Sequence, residues 1–100
     1  MTQPNLKQIM EQAKQMQKQM EVMQKQLGTI EVIGESGGGI VKITMTCRHE
    51  VKKLDISAET WKEDQEIISG LIIAAFNDAI RKVEKKILEL TKGMGLPGIG

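Results

Sequence analysis

Aromatic residues are almost missing from this chain of 100 residues: Trp61 and Phe76 are the only two, and there is no tyrosine. Any core must therefore be assembled from Leu, Ile, Val, Met and Ala. A domain of this length buries only about 60 to 65% of the surface its unfolded chain exposes, so a thin aliphatic core points to completion by a partner. Cysteine is reduced to Cys47 alone, which excludes an internal disulfide and agrees with a reducing compartment. Histidine is reduced to His49. A nucleophile–histidine arrangement would have to run through Cys47 and His49, two residues apart beside a turn, whereas a triad is defined by geometry and roles. As a metal site the same pair offers two ligands where zinc takes at least three from protein. His49 is read as a polar turn residue and the chain as no enzyme, needing no cofactor, metal or small-molecule substrate. No apolar stretch approaches the roughly 20 residues that span a bilayer, and the N-terminus has no signal-like run. The expected location is the cytoplasm, away from membranes.

An excess of one charge is also absent. The net charge is +1 and the pI near 7.8, while dedicated nucleic-acid domains often exceed a pI of about 9. Distribution along the chain says more. Residues 1–26 carry four lysines against two glutamates, and residues 79–100 carry five basic groups against two glutamates. Between them, residues 58–78 hold Lys62 against Glu59, Glu63, Asp64, Glu66 and Asp78. The two ends are basic and the middle is not.

What the chain does have is pattern. Leu6, Ile9, Ala13, Met16, Met20, Met23 and Leu27 recur at alternating steps of three and four, a heptad seam sustained over three repeats. Pro4-Asn5 offers a start with Asn5 as N-cap, and Gly28 offers a stop in the left-handed C-terminal position. The opposite face carries Lys7, Lys14, Lys18 and Lys25 among glutamines. Burying each seam side chain is worth about 1.5 to 3 kcal/mol before entropy, so a partner helix is implied, most simply from a second copy. The methionines beside the seam are read as adaptable packing residues.

From Thr29 the period becomes two. Ile30 and Val32 alternate with Glu31, and Val41, Ile43, Met45 and Cys47 alternate with Lys42, Thr44, Thr46 and Arg48. Gly37-Gly38-Gly39 lies between these strands and is read as a hairpin turn; a phosphate loop needs a strand before it and a helix after it, with Lys-Ser/Thr following the glycines, and here both flanks read as strands. After a turn near Arg48-His49, Leu54 and Ile56 are expected on one face, with Val51, Lys53 and Asp55 on the other. Pairing across that turn sets Ile43 opposite Leu54 and Val41 opposite Ile56. Ser57 can cap a short turn holding Trp61, whose indole is a satellite contact or, if exposed, part of a binding surface. Asp64 can cap a second helix with the apolar stripe Ile68, Ile72, Ala75, Ala79, Val83, Ile87 and Leu90, acidic at its start and basic at its end as its macrodipole favours. Gly93 is expected to end it. The reading is α+β: one domain over 1–92 as α-β-β-β-α with a three-stranded antiparallel meander, and a flexible glycine-rich tail over 93–100.

Three stretches carry a resemblance. Lys14-Gln15-Met16-Gln17-Lys18-Gln19-Met20, the run from Glu31 through Gly37-Gly38-Gly39 to Ile43, and Ala74-Ala75-Phe76-Asn77-Asp78-Ala79 resemble the YbaB/EbfC family of bacterial nucleoid-associated proteins. Gly95-Leu96-Pro97-Gly98 is similar to the family's tail. The resemblance covers nearly the whole chain in order. It implies an α-β-β-β-α fold, a homodimer joined through its sheets, and long helices projecting like the arms of tweezers. It also implies binding of double-stranded DNA with limited sequence preference and an influence on nucleoid organisation and gene expression. Contacts ascribed to the long helices would fall on segments bearing Lys7, Lys14, Lys18 and Lys25 and on Arg81, Lys82, Lys85 and Lys86. The alternative from pattern alone is an interaction adaptor whose heptad helix captures another protein's helix without direct DNA binding.

Overall fold

A computed structural model describes residues 5–94. The elements are α1 (Leu6–Thr29), β1 (Glu31–Ser36), β2 (Val41–Thr46), β3 (Val51–Ile56), a single 3-10 turn at Thr60–Lys62, and α2 (Gln65–Met94). The strands form one antiparallel sheet in the order β1-β2-β3. This is the α-β-β-β-α order expected from the change of hydrophobic period.

Local chemistry explains the boundaries. The Lys7 N–H donates to the Asn5 side chain at 3.2 Å, closing the N-terminus of α1. At the other end α1 runs one residue past Gly28, and that glycine does not take a positive φ. The chain instead leaves directly into extended Ile30, and the Thr29 hydroxyl donates to the Gln26 carbonyl at 2.7 Å. Gly28 serves as a spacer: a Cβ there would sit 3.3 Å from Arg48 Cδ. The hairpin between β1 and β2 places Gly37, Gly38 and Gly39 at φ of 59°, 74° and 100°, a succession that L side chains resist. Between β2 and β3 the left-handed position goes to His49, at φ 64°, with its N–H on the Thr46 carbonyl. Histidine is among the non-glycine residues that tolerate this region. α2 carries through Gly93 to Met94, beyond its expected end. The rest of the expected tail, 95–100, lies outside the described residues, as does Pro4.

The core is the inner face of β2 against the middle of α2. Val41, Ile43, Met45 and Cys47 are buried beneath Ala75, Ala79 and Val83. Two alanines on the helix and Gly34 on β1 let the backbones approach closely. A Cβ on Gly34 would lie 2.3 Å from the Ala75 carbonyl oxygen and 2.5 Å from the Ala79 nitrogen. α2 consequently lies over β1 and β2, while β3 is left open, with only Ile56 half-buried.

β3 differs from its expected facing. Ile43 pairs with Leu54 and Val41 with Ile56 as read, but the register shifts between Thr44 and Met45 so that Met45 pairs with Val51. Lys52 is the extra residue of a bulge, and opposed residues in an antiparallel pair share a face. Val51 therefore joins Leu54 and Ile56 on the apolar side instead of Lys53 and Asp55 on the polar one.

The molecule measures 74 × 23 × 19 Å with a radius of gyration of 20.0 Å, against about 13 Å for a compact chain of this length. α1 projects from the sheet, and none of its residues is buried. The small platform displays two long helices.

Candidate nucleic-acid interface

Lys7, Lys14, Lys18 and Lys25 follow one another at steps of seven, four and seven. At 3.6 residues per turn those steps return to within about 20° of one line along α1 and span about 27 Å. All four side chains are exposed. The seam from Ile9 to Leu27 is centred on the opposite side of the same helix, and in a single copy it is uncovered, with Met16 and Met20 each more than three-fifths exposed. Only Met23 and Leu27, next to the platform, are half-buried. α1 is thus a two-faced arm, cationic along one line and apolar along the other. Glu11 and Glu21 flank the lysine line at about 40°, each one turn from two of the lysines, and close no ion pair among the described residues.

The basic groups of α2 separate into two kinds. Arg81 and Lys85 point away from the sheet. Lys82 points back towards it and is engaged: its Nζ donates to the Ile33 carbonyl at 2.7 Å and lies 3.1 Å from Asp78 Oδ2. The same Asp78 oxygen accepts the Glu35 N–H at 2.9 Å, and the Arg81 guanidinium stands 3.6 Å from the other oxygen. The Glu35 N–H, with Lys82 next in importance, holds the Asp78 carboxyl below the usual carboxylate range. The Ser36 hydroxyl adds a bond to the Leu71 carbonyl at 2.6 Å. Sequence reading grouped Lys82 with Arg81, Lys85 and Lys86 as candidate DNA contacts and counted Asp78 among the acidic residues of 58–78. Their i, i+4 spacing marks a pair, but its backbone target on β1 lies 43 to 49 residues away and has no local signal.

Lys86 is exposed and turned towards the end of β2, where its ammonium acts on Cys47. Burial nevertheless pushes that thiol up, away from the reactive thiolate. His49 is accounted for by its turn.

The pinning network also makes the two sheet edges unlike. On β1 the outward Ile33 carbonyl and Glu35 N–H are both capped by α2 side chains. No side chain caps the outer edge of β3 among the described residues, and Leu54, on its apolar face, is 47% exposed. Below the arms, Met23, Leu27, Ile30, Ile87, Leu90 and Thr91 line an apolar cleft of about 190 Å³.

A three-stranded platform holding out two long charge-bearing helices, with one sheet edge closed and the other open, defines an α-β-β-β-α interaction protein. The chain belongs to the YbaB/EbfC DNA-binding family, whose model matches residues 2–97. It is 46% identical over 101 residues to a nucleoid-associated protein of Hahella chejuensis, covering 97% of this chain and 94% of that one. Its fold is similar to the crystal structure of an uncharacterised protein from Helicobacter pylori, with a TM-score of 0.78 at 22% identity, covering 92% of this chain and 98% of that one. No helix of the described residues is long and apolar enough to cross a membrane.

Proposed function

We propose that this protein binds double-stranded DNA as a homodimer in the cytoplasmic nucleoid, with limited sequence preference, and thereby influences nucleoid organisation and gene expression. The observation that carries the reading is the straight line of Lys7, Lys14, Lys18 and Lys25 on the side of α1 away from its apolar seam. A duplex presents one phosphate per roughly 3.4 Å of axis on each strand, so a cationic line of about 27 Å spans the axial rise of about eight base pairs and meets phosphates where the winding strands cross it. Lysines placed on phosphates fix orientation without reading bases, which suits a weak sequence preference. Arg81, Lys85 and Lys86 extend the surface onto α2. Lys82 contributes its charge from a fixed position.

The homodimer rests on uncovered apolar surface. Val51 and Leu54 on β3 and Phe76 on the neighbouring flank of α2 are all exposed in one copy. A twofold pairing brings the same patch of each copy together. With β1 capped by Lys82 and Asp78, β3 is the edge that offers itself.

The test is a fluorescence-anisotropy titration of a mixed-sequence duplex at several salt concentrations. Each lysine on a phosphate contributes about 0.9 to the negative slope of log affinity against log salt. Replacing Lys14 and Lys18 by Gln should lower that slope by about 2 and weaken binding alike on unrelated sequences. An unchanged slope removes α1 from the interface. The exposed seam supports one competing reading, a helix-capturing adaptor. That reading requires Met20→Glu to abolish a specific protein partnership while DNA binding is absent.

A further inference from the structure

Far from the basic arms, the segment before α2 forms a ledge of opposite character. Trp61, the chain's only tryptophan, is 62% exposed. Its backbone is anchored, because its neighbour Thr60 is buried, donates its N–H to the Ser57 carbonyl at 3.0 Å and shares a hydroxyl bond with Ser57. The Glu63 N–H closes the turn on the Thr60 carbonyl at 3.0 Å. An exposed indole presents a large apolar surface with only two side-chain torsions to order on contact. Ile67, in the first turn of α2, is exposed as well. Around them stand Glu59, Glu63, Asp64 and Glu66, all exposed and without ion-pair partners among the described residues; Lys62 is the local exception.

The distal half of α2 carries the complement. Arg81, Lys85, Leu88 and Lys92 follow at steps of four, three and four, which places them on one outward face. Leu88 is 50% exposed at its centre. Glu84 and Glu89 lie to either side of that face, and Arg81 leans on Asp78. One surface is an aromatic residue in an acidic rim, and the other is an aliphatic residue in a basic rim. Ile67 and Leu88 are about 32 Å apart along one straight helix, so the two surfaces of one chain cannot meet.

We propose that the Trp61 ledge of one copy docks onto the basic outer face of α2 of another copy, a head-to-tail contact that strings copies together. Such a contact is heterologous and propagates unless its rotation closes a ring. It is distinct from the apolar homodimer and stands whether or not DNA binds. Arg81 and Lys85 also belong to the surface proposed for DNA, so a duplex competes with the contact.

The experiment uses the full chain and its single indole as the reporter. Sedimentation velocity and Trp61 emission are recorded from about 0.05 M to about 0.5 M salt, across which screening shortens from beyond 10 Å to a few ångströms. The expected result is a species larger than the dimer at low salt that falls to the dimer at high salt, with Trp61 emission moving to the red. Glu63→Lys with Glu66→Lys, or Lys85→Glu with Lys92→Glu, should each weaken the low-salt assembly by about fivefold per reversed pair. Mixing the two variants should restore it, which separates lost contact from lost folding. A constant mass over the salt range overturns the proposal, as does assembly that survives both reversals. So does an emission that is already blue in the high-salt dimer and does not move, because Trp61 then lies inside the homodimer. Added duplex should redden the low-salt emission. If the anisotropy titration shows no DNA binding, the salt and charge-swap results still decide the self-contact.

Discussion

Asp78 carries the connection between β1 and α2, and its replacement by Asn gives a pH-dependent prediction. The carboxylate accepts the Glu35 N–H at 2.9 Å and faces Lys82 at 3.1 Å, while its side chain is only one-quarter exposed. Hydrogen bonds to a charged group contribute about 1.5 to 3 kcal/mol each. Asn keeps an acceptor for the Glu35 N–H but loses the charge, so Asp78→Asn should cost about 1 to 2 kcal/mol at neutral pH. For a domain of this size that corresponds to a fall in Tm of about 5 to 15 °C. The sign with pH follows from the direction of the shift. The folded-state pKa lies below the ordinary 3.8, so the stabilisation is present above that value and fades as pH falls through the folded pKa. The Tm gap between wild type and variant should stay constant from pH 7 to about 5 and close on further acidification. Paired thermal melts by circular dichroism, at fixed protein concentration, measure it. A gap of unchanged size at pH 3 would refute the electrostatic account and leave shape as the cause. No gap at pH 7 would remove Asp78 from the connection.

Two further substitutions test the backbone. Gly34→Ala should destabilise by about 3 kcal/mol, the upper end of overpacking effects, because the atoms in its way are helix backbone and a core Cβ; chemical denaturation with a midpoint equal to the wild type's refutes the close approach. His49→Gly should stabilise by about 0.5 to 1 kcal/mol and His49→Val should destabilise by about 1 to 2, since the position is left-handed. The same denaturation series reads both, and equal effects would mean that the turn relaxes to another conformation.

The parts of this structure that sequence revealed are those whose signal repeats. The heptad of α1, the alternation of β2 and the pairing of Ile43 with Leu54 all follow from periods of 3.5 or 2. The lysine line was visible for the same reason, as a 7-4-7 spacing. What escaped was set by single residues acting at a distance. One extra residue at Lys52 turns Val51 to the other face, and an alternating pattern cannot register an insertion that it has no reason to expect. Gly34 looked like any strand glycine until Ala75 and Ala79 came to rest on it. Lys82 was indistinguishable from Arg81 and Lys85 by composition. Only the angle of α2 over β1 gives it a carbonyl to hold. Gly28 and Gly93 show the converse, since a glycine permits a helix stop without requiring one.

The near-neutral net charge is a poor guide to what this surface can attract. Acidic groups gather at the start of α2 and basic groups at its far end, an order the macrodipole favours in any case. Glu66 and Lys85 are separated by about 28 Å of helix, more than three screening lengths of about 8 Å at physiological ionic strength. The acidic start therefore does little to weaken the field around the distal cations, although both count equally towards the pI. Glu11 and Glu21 are different. They stand one turn from the α1 lysines, within a screening length, and temper that line directly. At protein concentrations too low for the head-to-tail contact, charge reversal at Glu66 should accordingly leave DNA affinity nearly unchanged, whereas Glu11→Gln and Glu21→Gln should strengthen it. Titrations of the three variants at one salt concentration measure the difference, and an equal gain from Glu66→Lys would show that bulk charge, not local placement, governs binding.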